Sequence, residues 1–219
     1  MDVVSRLSPT DRFRGMGPGF RRDDESGVNV TMSRLISLVI LLTDLLLFGQ
    51  GAYIHAKALL AQVLLGRAFA TTIATGHPTK PWSWADTWPV ARIEVKRLDA
   101  RTIALAGSSG QALAFGPGHV ELTPDAGERG VAVYSAHRDT HFRFLKDVVT
   151  NDIIDIVRSD GRRFRYRVDG TSVARFDASG IDPLSGGYEL VLSTCWPFGS
   201  LTPGPERYLV HAVMIDPGS

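Results

Sequence analysis

The stretch Y-E-L-V-L-S-T-C-W-P-F-G-S-L-T-P-G-P-E-R-Y-L-V-H-A-V-M, Tyr188 to Met214, decides how this chain is to be read. Tyr188–Thr194 has the apolar and β-branched character of a strand, and it runs into Cys195, the single cysteine of the sequence. A segment rich in Pro and Gly follows, Trp196–Glu206, and Arg207 then opens a second strand-like run, Tyr208–Ile215. Antiparallel pairing of the two runs lays the end of the first beside the start of the second. Cys195 and Arg207 are then expected at one rim of a sheet, a thiol next to a guanidinium that keeps its charge. A cation so placed favours the thiolate, the form that attacks carbonyls. A lone cysteine is otherwise an ordinary small buried hydrophobe, so the case for chemistry has to come from the rest of the chain.

Working outward, residues 90–219 form a series of short β-type runs. They are Ala91–Arg97, Thr102–Ala106, Gly130–His137, Ile153–Arg158, Arg163–Val168 with an extension to Phe176, Tyr188–Thr194 and Tyr208–Ile215. Gly, Pro, Asp and Asn punctuate them, and Ser159-Asp160-Gly161 has the chemistry of a hairpin turn. The one short helix expected in this half is Thr140–Val148. So many short strands with so little helix predict an all-β domain, closed as a barrel or sandwich.

A second polar cluster, His137-Arg138-Asp139-Thr140-His141-Phe142, closes the run Val131–Ala136. His137 stands just past one strand as Cys195 stands just past another, and a site at the rim of a sheet would collect both. A metal reading of His137, Asp139 and His141 as alternating ligands lacks a further His/Cys pair at ligand spacing. No carboxylate cluster of the kind calcium needs is present, and no cofactor is implied. Arg138 and Asp139 are expected to orient the His loop or bond one another. His141 is expected to pack or cap at the start of the short helix, and His211, alternating with Leu209 and Val213, to be a satisfied core residue. His119, after a Gly-Pro-Gly turn, is assigned no catalytic role. Asp99, Asp152 and Asp160 have turn character.

Upstream, Leu35–Ile54 is apolar with the single charge Asp44, and is about the roughly 20 residues needed to cross a bilayer as helix. Asp44 costs about 2.5–3.5 kcal/mol on insertion scales, which the Leu, Ile, Val and Phe residues offset. Residues 34–54 are thus expected to be a transmembrane anchor. No small-residue cleavage site follows closely, which favours an uncleaved signal anchor; Arg34 ahead of the span suggests an N-in, C-out orientation. Residues 55–89 are expected to form a helical stalk, with Leu59, Leu60, Val63 and Leu64 on one side, and a Trp-rich linker carrying Trp82, Trp84 and Trp88. Those tryptophans suit either a lipid interface or a staple between stalk and domain. Residues 1–33, broken by Gly15, Gly17, Pro18 and Gly19, are expected to be disordered or an over-extended gene start, with Met32 as the alternative first residue.

Composition agrees. The 219 residues are 44% hydrophobic with a formal charge of +1, enough apolar material for a core and no basic excess suited to nucleic acid. In an oxidising envelope compartment a single unpaired cysteine has no disulfide to serve and is a tool or a liability.

At this point the motifs converge. S-A-H-R-D-T-H-F-R-F-L-K-D-V (Ser135–Val148), L-S-T-C-W-P-F (Leu192–Phe198) and E-R-Y-L-V (Glu206–Val210) together resemble the sortases, cysteine transpeptidases of bacterial surfaces. The family's T-x-T-C signature is approached by Leu192-Ser193-Thr194-Cys195, with Leu192 in place of the first Thr, and Ser135-Ala136 replaces the small residue and Gly commoner before the His. A-F-G-P-G-H (Ala114–His119) and W-P-V-A-R (Trp88–Arg92) further resemble the GN-type sortases of Gram-negative bacteria. The resemblance covers roughly residues 35–215. It implies an eight-stranded sortase β-barrel with Cys195 as nucleophile, His137 as general acid and base, Arg207 on the substrate carbonyl or oxyanion, and Thr194 assisting the oxyanion through its hydroxyl or its backbone. It also implies a partner protein with an LPXTG-like C-terminal sorting signal, an amine acceptor, and a place in the bacterial inner membrane through residues 35–54, single-pass, with the catalytic domain on the periplasmic side. Two other readings stand beside it. One is an envelope cysteine hydrolase or L,D-transpeptidase acting on peptidoglycan, whose S-x-G-C signature is missing because Gly does not precede Cys195. The other is a membrane-tethered β-barrel binding module with an incidental cysteine.

Overall fold

The computed structural model describes residues 25–200, 202 and 204–216. The chain divides into two compact units, Met1–Tyr53 and Ile54–Ser219. One long helix, α1 (Glu25–Thr75), contributes to both. It begins earlier than the anchor boundary at residue 34, so residues 25–33 are helical rather than irregular; the expectation for residues 1–24 lies outside the described residues. The reason is cooperativity. Extending an existing helix costs little once the apolar stretch has nucleated it. Within the first unit Met32–Gln50, 19 residues, is long and apolar enough to cross a membrane.

In the second unit α1 presents Ala61, Leu65, Ala68, Phe69 and Thr72 as its buried stripe. Those positions follow the i, i+3, i+4 rule, and two alanines let the helix approach the barrel closely. Leu59, Leu60 and Val63, on the apolar side noted in the sequence, are more than half exposed. Leu65 joins Leu105 and Ala112 in a small cluster, Gln62 Nε2 donates to the carbonyl of Phe115 at 2.9 Å, and Arg92 lies over the Phe69 ring.

Eight strands follow: β1 (Pro89–Val95), β2 (Ala100–Leu105), β3 (Gly118–His119), β4 (Gly130–Ala136), β5 (Ile153–Arg158), β6 (Arg163–Arg175), β7 (Tyr188–Cys195) and β8 (Glu206–Asp216). They close into a barrel in the order β1-β2-β3-β4-β7-β8-β6-β5, with β5 returning to β1. The expected all-β barrel is what the chain builds. Period-two alternation accounts for most of it. Ala91, Ile93 and Val95 of β1, Phe164, Tyr166 and Val168 of β6, and Val210 and Ala212 of β8 fill the interior.

Three short elements escaped the sequence reading. The two-residue β3 is too brief for a periodic signal. A short helix α2 (Gly110–Phe115) is capped by Ser109, whose Oγ accepts from the Ala112 N–H at 3.4 Å. A 3₁₀ turn occupies Lys96–Leu98 and ends on Asp99 in the left-handed region. The helix expected at Thr140–Val148 is a 3₁₀ turn over Arg143–Asp147. Its sequence spends its first residues folding back on His137, whose carbonyl accepts from the N–H groups of Thr140 at 3.4 Å and Phe142 at 3.2 Å.

β4 and β7 are buried on both faces. Ala132, Tyr134, Leu190 and Leu192 point inward, while Val131, Val133, Val191 and Leu209 form a second apolar cluster on the outer face. Val120, Ala174 and Ile181 pack against that outer cluster from neighbouring segments. Strands covered on two sides read as near-continuous apolar runs, as these do.

Candidate active site

β7 and β8 pair antiparallel in a register that sets Leu192 against Val210, Ser193 against Leu209, and Cys195 against Arg207. Alternation from Val191 and Leu209 directs Cys195 and Arg207 to the outer face, at the end of the apolar surface just described. Cys195 is a free, half-buried thiol. β4 lies on the other side of β7 and runs parallel to it, with Ala136 opposite Thr194. His137, the next residue, is therefore delivered to the same rim as Cys195, and it is exposed. The topology sets His137, Cys195 and Arg207 at one rim of three adjacent strands.

Arg207 is fixed by its surroundings. Its Nη1 donates to the carbonyls of Gly204 at 2.9 Å and Glu206 at 2.8 Å, and its guanidinium lies 5.7 Å from the centre of the Phe176 ring. Those contacts use the Nη1 hydrogens and leave the other donors of the fork available. Trp196 extends the ladder, its N–H donating to the Glu206 carbonyl at 3.0 Å. Its ring stacks on Tyr208 at 5.6 Å, and Phe198 meets Tyr208 edge-on at 5.2 Å, so aromatic packing stiffens the chain directly after the cysteine.

Of the two routes expected for Thr194, the structure speaks against the hydroxyl one. Its side chain is buried at 1% exposure, and its hydroxyl donates to the carbonyl of Ala136 at 2.7 Å. The residue before Cys195 necessarily points to the opposite face of the strand, so this hydroxyl ties β7 to β4 rather than facing an oxyanion. Strand alternation alone carried that information.

The other polar residues sort as follows. Arg138 is buried at 7% exposure, and its Nη2 donates to the carbonyls of Ser200 and Thr202, so it is no surface partner of Asp139 alone. His141 is half-buried; burial holds its imidazole below the ordinary histidine range, against the raising effect of the Ala114 carbonyl, and nearby His137 adds to the lowering. His119 anchors a loop, its Nε2 lying 3.0 Å from the Pro124 carbonyl and 3.3 Å from Thr123 Oγ1, and its ring tilts on Tyr134. His211 is satisfied by Ser172 Oγ at 2.8 Å but sits on the outer face, half-exposed, not in the core; its neighbours Val210 and Ala212 take the interior positions. Asp152 is more than a turn residue. Arg97 reaches it through Nε and through Nη2 at 2.6 Å, and these bonds hold its carboxyl below the usual range although burial opposes them. Trp82 packs edge-on against Phe115 at 4.8 Å, whereas Trp84 is 82% exposed.

Two clefts lie beside this rim. One of about 930 Å³ runs between α1 at Lys57–Leu64, the Trp82–Thr87 segment and α2, and one of about 570 Å³ between Gln62, the start of β2 and the Arg143–Asp147 turn. Both are touched by Thr140 and His141, and neither by Cys195. Among the described residues no group of three or more His, Cys, Asp or Glu side chains could hold a metal ion, so His137, Asp139 and His141 do not form one.

Comparison with known proteins places this geometry in context. The sortase domain family model matches residues 93–215. Sortase D of Bacillus subtilis (strain 168) is 30% identical over 120 residues, covering 54% of this chain and 60% of the relative, so the match spans less than two thirds of that protein. A pilus-related sortase C of Group B Streptococcus is 28% identical with a TM-score of 0.52, over 58% of this chain and 67% of that one. The sortase A of Corynebacterium diphtheriae in its lid-mutant form superposes with a TM-score of 0.53 at 23% identity, over 71% of this chain and 94% of that one, a likeness of fold.

Proposed function

This chain belongs to the sortase family, and on that premise we propose that it is a cysteine transpeptidase acting on a C-terminal sorting signal. The observation that carries the reading is the register: Cys195 opposite Arg207, with His137 one residue beyond the pair that joins β4 to β7. Cys195 Sγ, as thiolate, attacks the carbonyl carbon of a peptide bond, forming a C–S bond and a tetrahedral oxyanion. Arg207 donates to that oxygen through the part of its fork not committed to Gly204 and Glu206. Collapse breaks the C–N bond, and His137 gives its proton to the departing amine. The thioester stays on Cys195 until an amine attacks it. His137 then takes the proton of that amine, a new amide forms, and the thiolate leaves. No external energy source enters, because the thioester stores the acyl potential of the original bond.

The LPXTG-like signal is proposed from the likeness of Ser135–Val148, Leu192–Phe198 and Glu206–Val210 to the family's motifs. Met32–Gln50 supports anchoring in the inner membrane, single-pass, with the barrel on the periplasmic side. The GN-type assignment rests on Ala114–His119 and Trp88–Arg92.

The test uses the full chain in detergent, a fluorogenic LPXTG-like peptide, and triglycine as acceptor. Intact-mass analysis is expected to show an acyl adduct on Cys195 that triglycine discharges into a ligated peptide. Slow, ordinary alkylation of the thiol together with no adduct on any sorting-signal peptide would sink the proposal.

A further inference from the structure

We infer that Arg138 is a positioning residue: its buried guanidinium ties the segment carrying His137 to the loop between Cys195 and Arg207, holding imidazole, thiol and cation in one geometry. The inference rests on the transpeptidase reading above.

An arginine side chain is costly to bury, and here hydrogen bonds offset the cost only in part: Nη2 is bonded, while Nη1 is buried with no hydrogen-bond partner among the described residues. Arg138 lies between two exposed neighbours, His137 and Asp139, yet is itself 7% exposed. Its Nη2 donates to the Ser200 carbonyl and, at 3.1 Å, to the Thr202 carbonyl, bridging 62 and 64 positions of sequence. Its contact with Asp139 is longer, 3.6 Å from Nε, and that carboxylate is 66% exposed, so the pair adds little. The two accepting carbonyls are themselves set by a local turn. Ser200 Oγ accepts from the Thr202 N–H at 3.2 Å and donates to the Thr202 carbonyl at 3.1 Å.

The arrangement is symmetrical about the candidate catalytic pair. Before His137, the Ala136 carbonyl receives the Thr194 hydroxyl, from the residue before Cys195. After His137, Arg138 reaches the loop that follows Cys195. The same loop is gripped from its far end by Arg207 through Gly204 and Glu206. Two guanidinium groups thus hold the carbonyls of one loop, and one of them belongs to the residue next to the proposed acid–base. The bond before His137 is reinforced by the β4–β7 ladder; the Arg138 bridge has no ladder beside it, since β4 ends at Ala136. The Thr140 and Phe142 N–H bonds to the His137 carbonyl fold that segment on itself, and Arg138 is what joins it to the loop after Cys195. A displacement of about 1 Å between reacting groups costs roughly a hundredfold in rate, and a carbonyl-to-guanidinium strap from residue 138 to residues 200 and 202 opposes that displacement.

The test compares wild type with Arg138→Met and Arg138→Lys in the full chain. Hydrogen–deuterium exchange is followed in residues 137–142 and 196–205. Steady-state kinetics on the sorting-signal peptide are normalised to thiol titrated by iodoacetamide, so that unfolded molecules do not count. For Arg138→Met the expected result is roughly tenfold faster exchange in both segments, kcat per titrated thiol lower by roughly 10- to 100-fold, and KM within about twofold. Arg138→Lys, which keeps a charge but not the fork, is expected to recover a large part of kcat and of the protection. Wild-type exchange in 196–205, or wild-type kcat per titrated thiol, in Arg138→Met overturns the inference. If that variant does not fold, Arg138→Lys decides: a loss of roughly 3- to 10-fold in kcat with raised exchange supports it, and no change overturns it. Should the wild type cleave no sorting-signal peptide, the transpeptidase reading fails on its own. Exchange in the two segments then still decides for or against the tie.

Discussion

Thr194→Val separates the two roles open to the residue before the cysteine. The substitution keeps the shape of the side chain and removes one hydroxyl. That hydroxyl is buried at 1% exposure and donates to the Ala136 carbonyl at 2.7 Å. Losing a hydrogen bond and leaving a buried acceptor without that donor costs about 1–3 kcal/mol. For a domain of this size class each kcal/mol moves Tm by about 2–4 °C, so a fall of about 2–12 °C is expected. The chemistry should suffer far less. The hydroxyl lies on the inner face and an oxyanion at Cys195 would form on the outer one, so kcat is expected to fall by no more than about fivefold, through slackening of the strand end that carries His137. Removing a true oxyanion donor costs about 10²–10³ in kcat. The assay pairs differential scanning calorimetry with peptide cleavage normalised to titrated thiol. An unchanged Tm with a hundredfold loss of kcat would refute the reasoning, because it would put the hydroxyl on the reacting face.

Other expectations follow from the same contacts. Cys195→Ala is expected to abolish the acyl adduct in intact-mass analysis while leaving the barrel folded by circular dichroism; a surviving adduct would move the nucleophile elsewhere. Arg207→Gln is expected to lower kcat by about 10²–10³, measured at saturating peptide, and wild-type turnover would remove Arg207 from the mechanism. The Arg97–Asp152 pair makes acid sensitivity predictable. Its hydrogen bonds lower the folded-state pKa of Asp152, so the unfolded chain takes up that proton first as pH falls. The stability it contributes is complete above the ordinary Asp value of about 3.9 and drains away as pH falls through the lower folded value. Arg97→Met is expected to flatten Tm against pH over that acid range, and an unaltered slope would contradict the account. Gly127→Ala is expected to destabilise by on the order of 2–5 kcal/mol, since φ there is left-handed and a Cβ would collide with the Phe164 ring. Its φ is +89° and the Cβ would stand 2.2 Å from Phe164 Cε1. Chemical denaturation checks it, and a change below 1 kcal/mol would show that the ring yields freely.

The sequence by itself made seven of the eight strands legible, because period-two alternation and Gly/Pro punctuation are local properties that survive without a fold. Ile153–Arg158 and Tyr188–Cys195 could be read almost to the residue for that reason. It also determined the pairing of Cys195 with Arg207, since two runs joined by a turn-rich loop have one simple way to meet. Thr194 belongs to the same legible class, its direction being fixed by alternation from Cys195. Only the tertiary structure decided the partner of β4. A parallel pairing with β7 spans more than fifty residues of sequence, leaves no local signature, and is what carries His137 to the cysteine. The same holds for Arg138, whose chemistry is invisible until Ser200 and Thr202 arrive beside it. It holds as well for the face of α1 that packs, where several apolar positions were available and Ala61, Leu65, Ala68 and Phe69 are the ones buried. Local patterns set the elements, and apolar burial large enough to offset the entropy of closing the barrel set who meets whom.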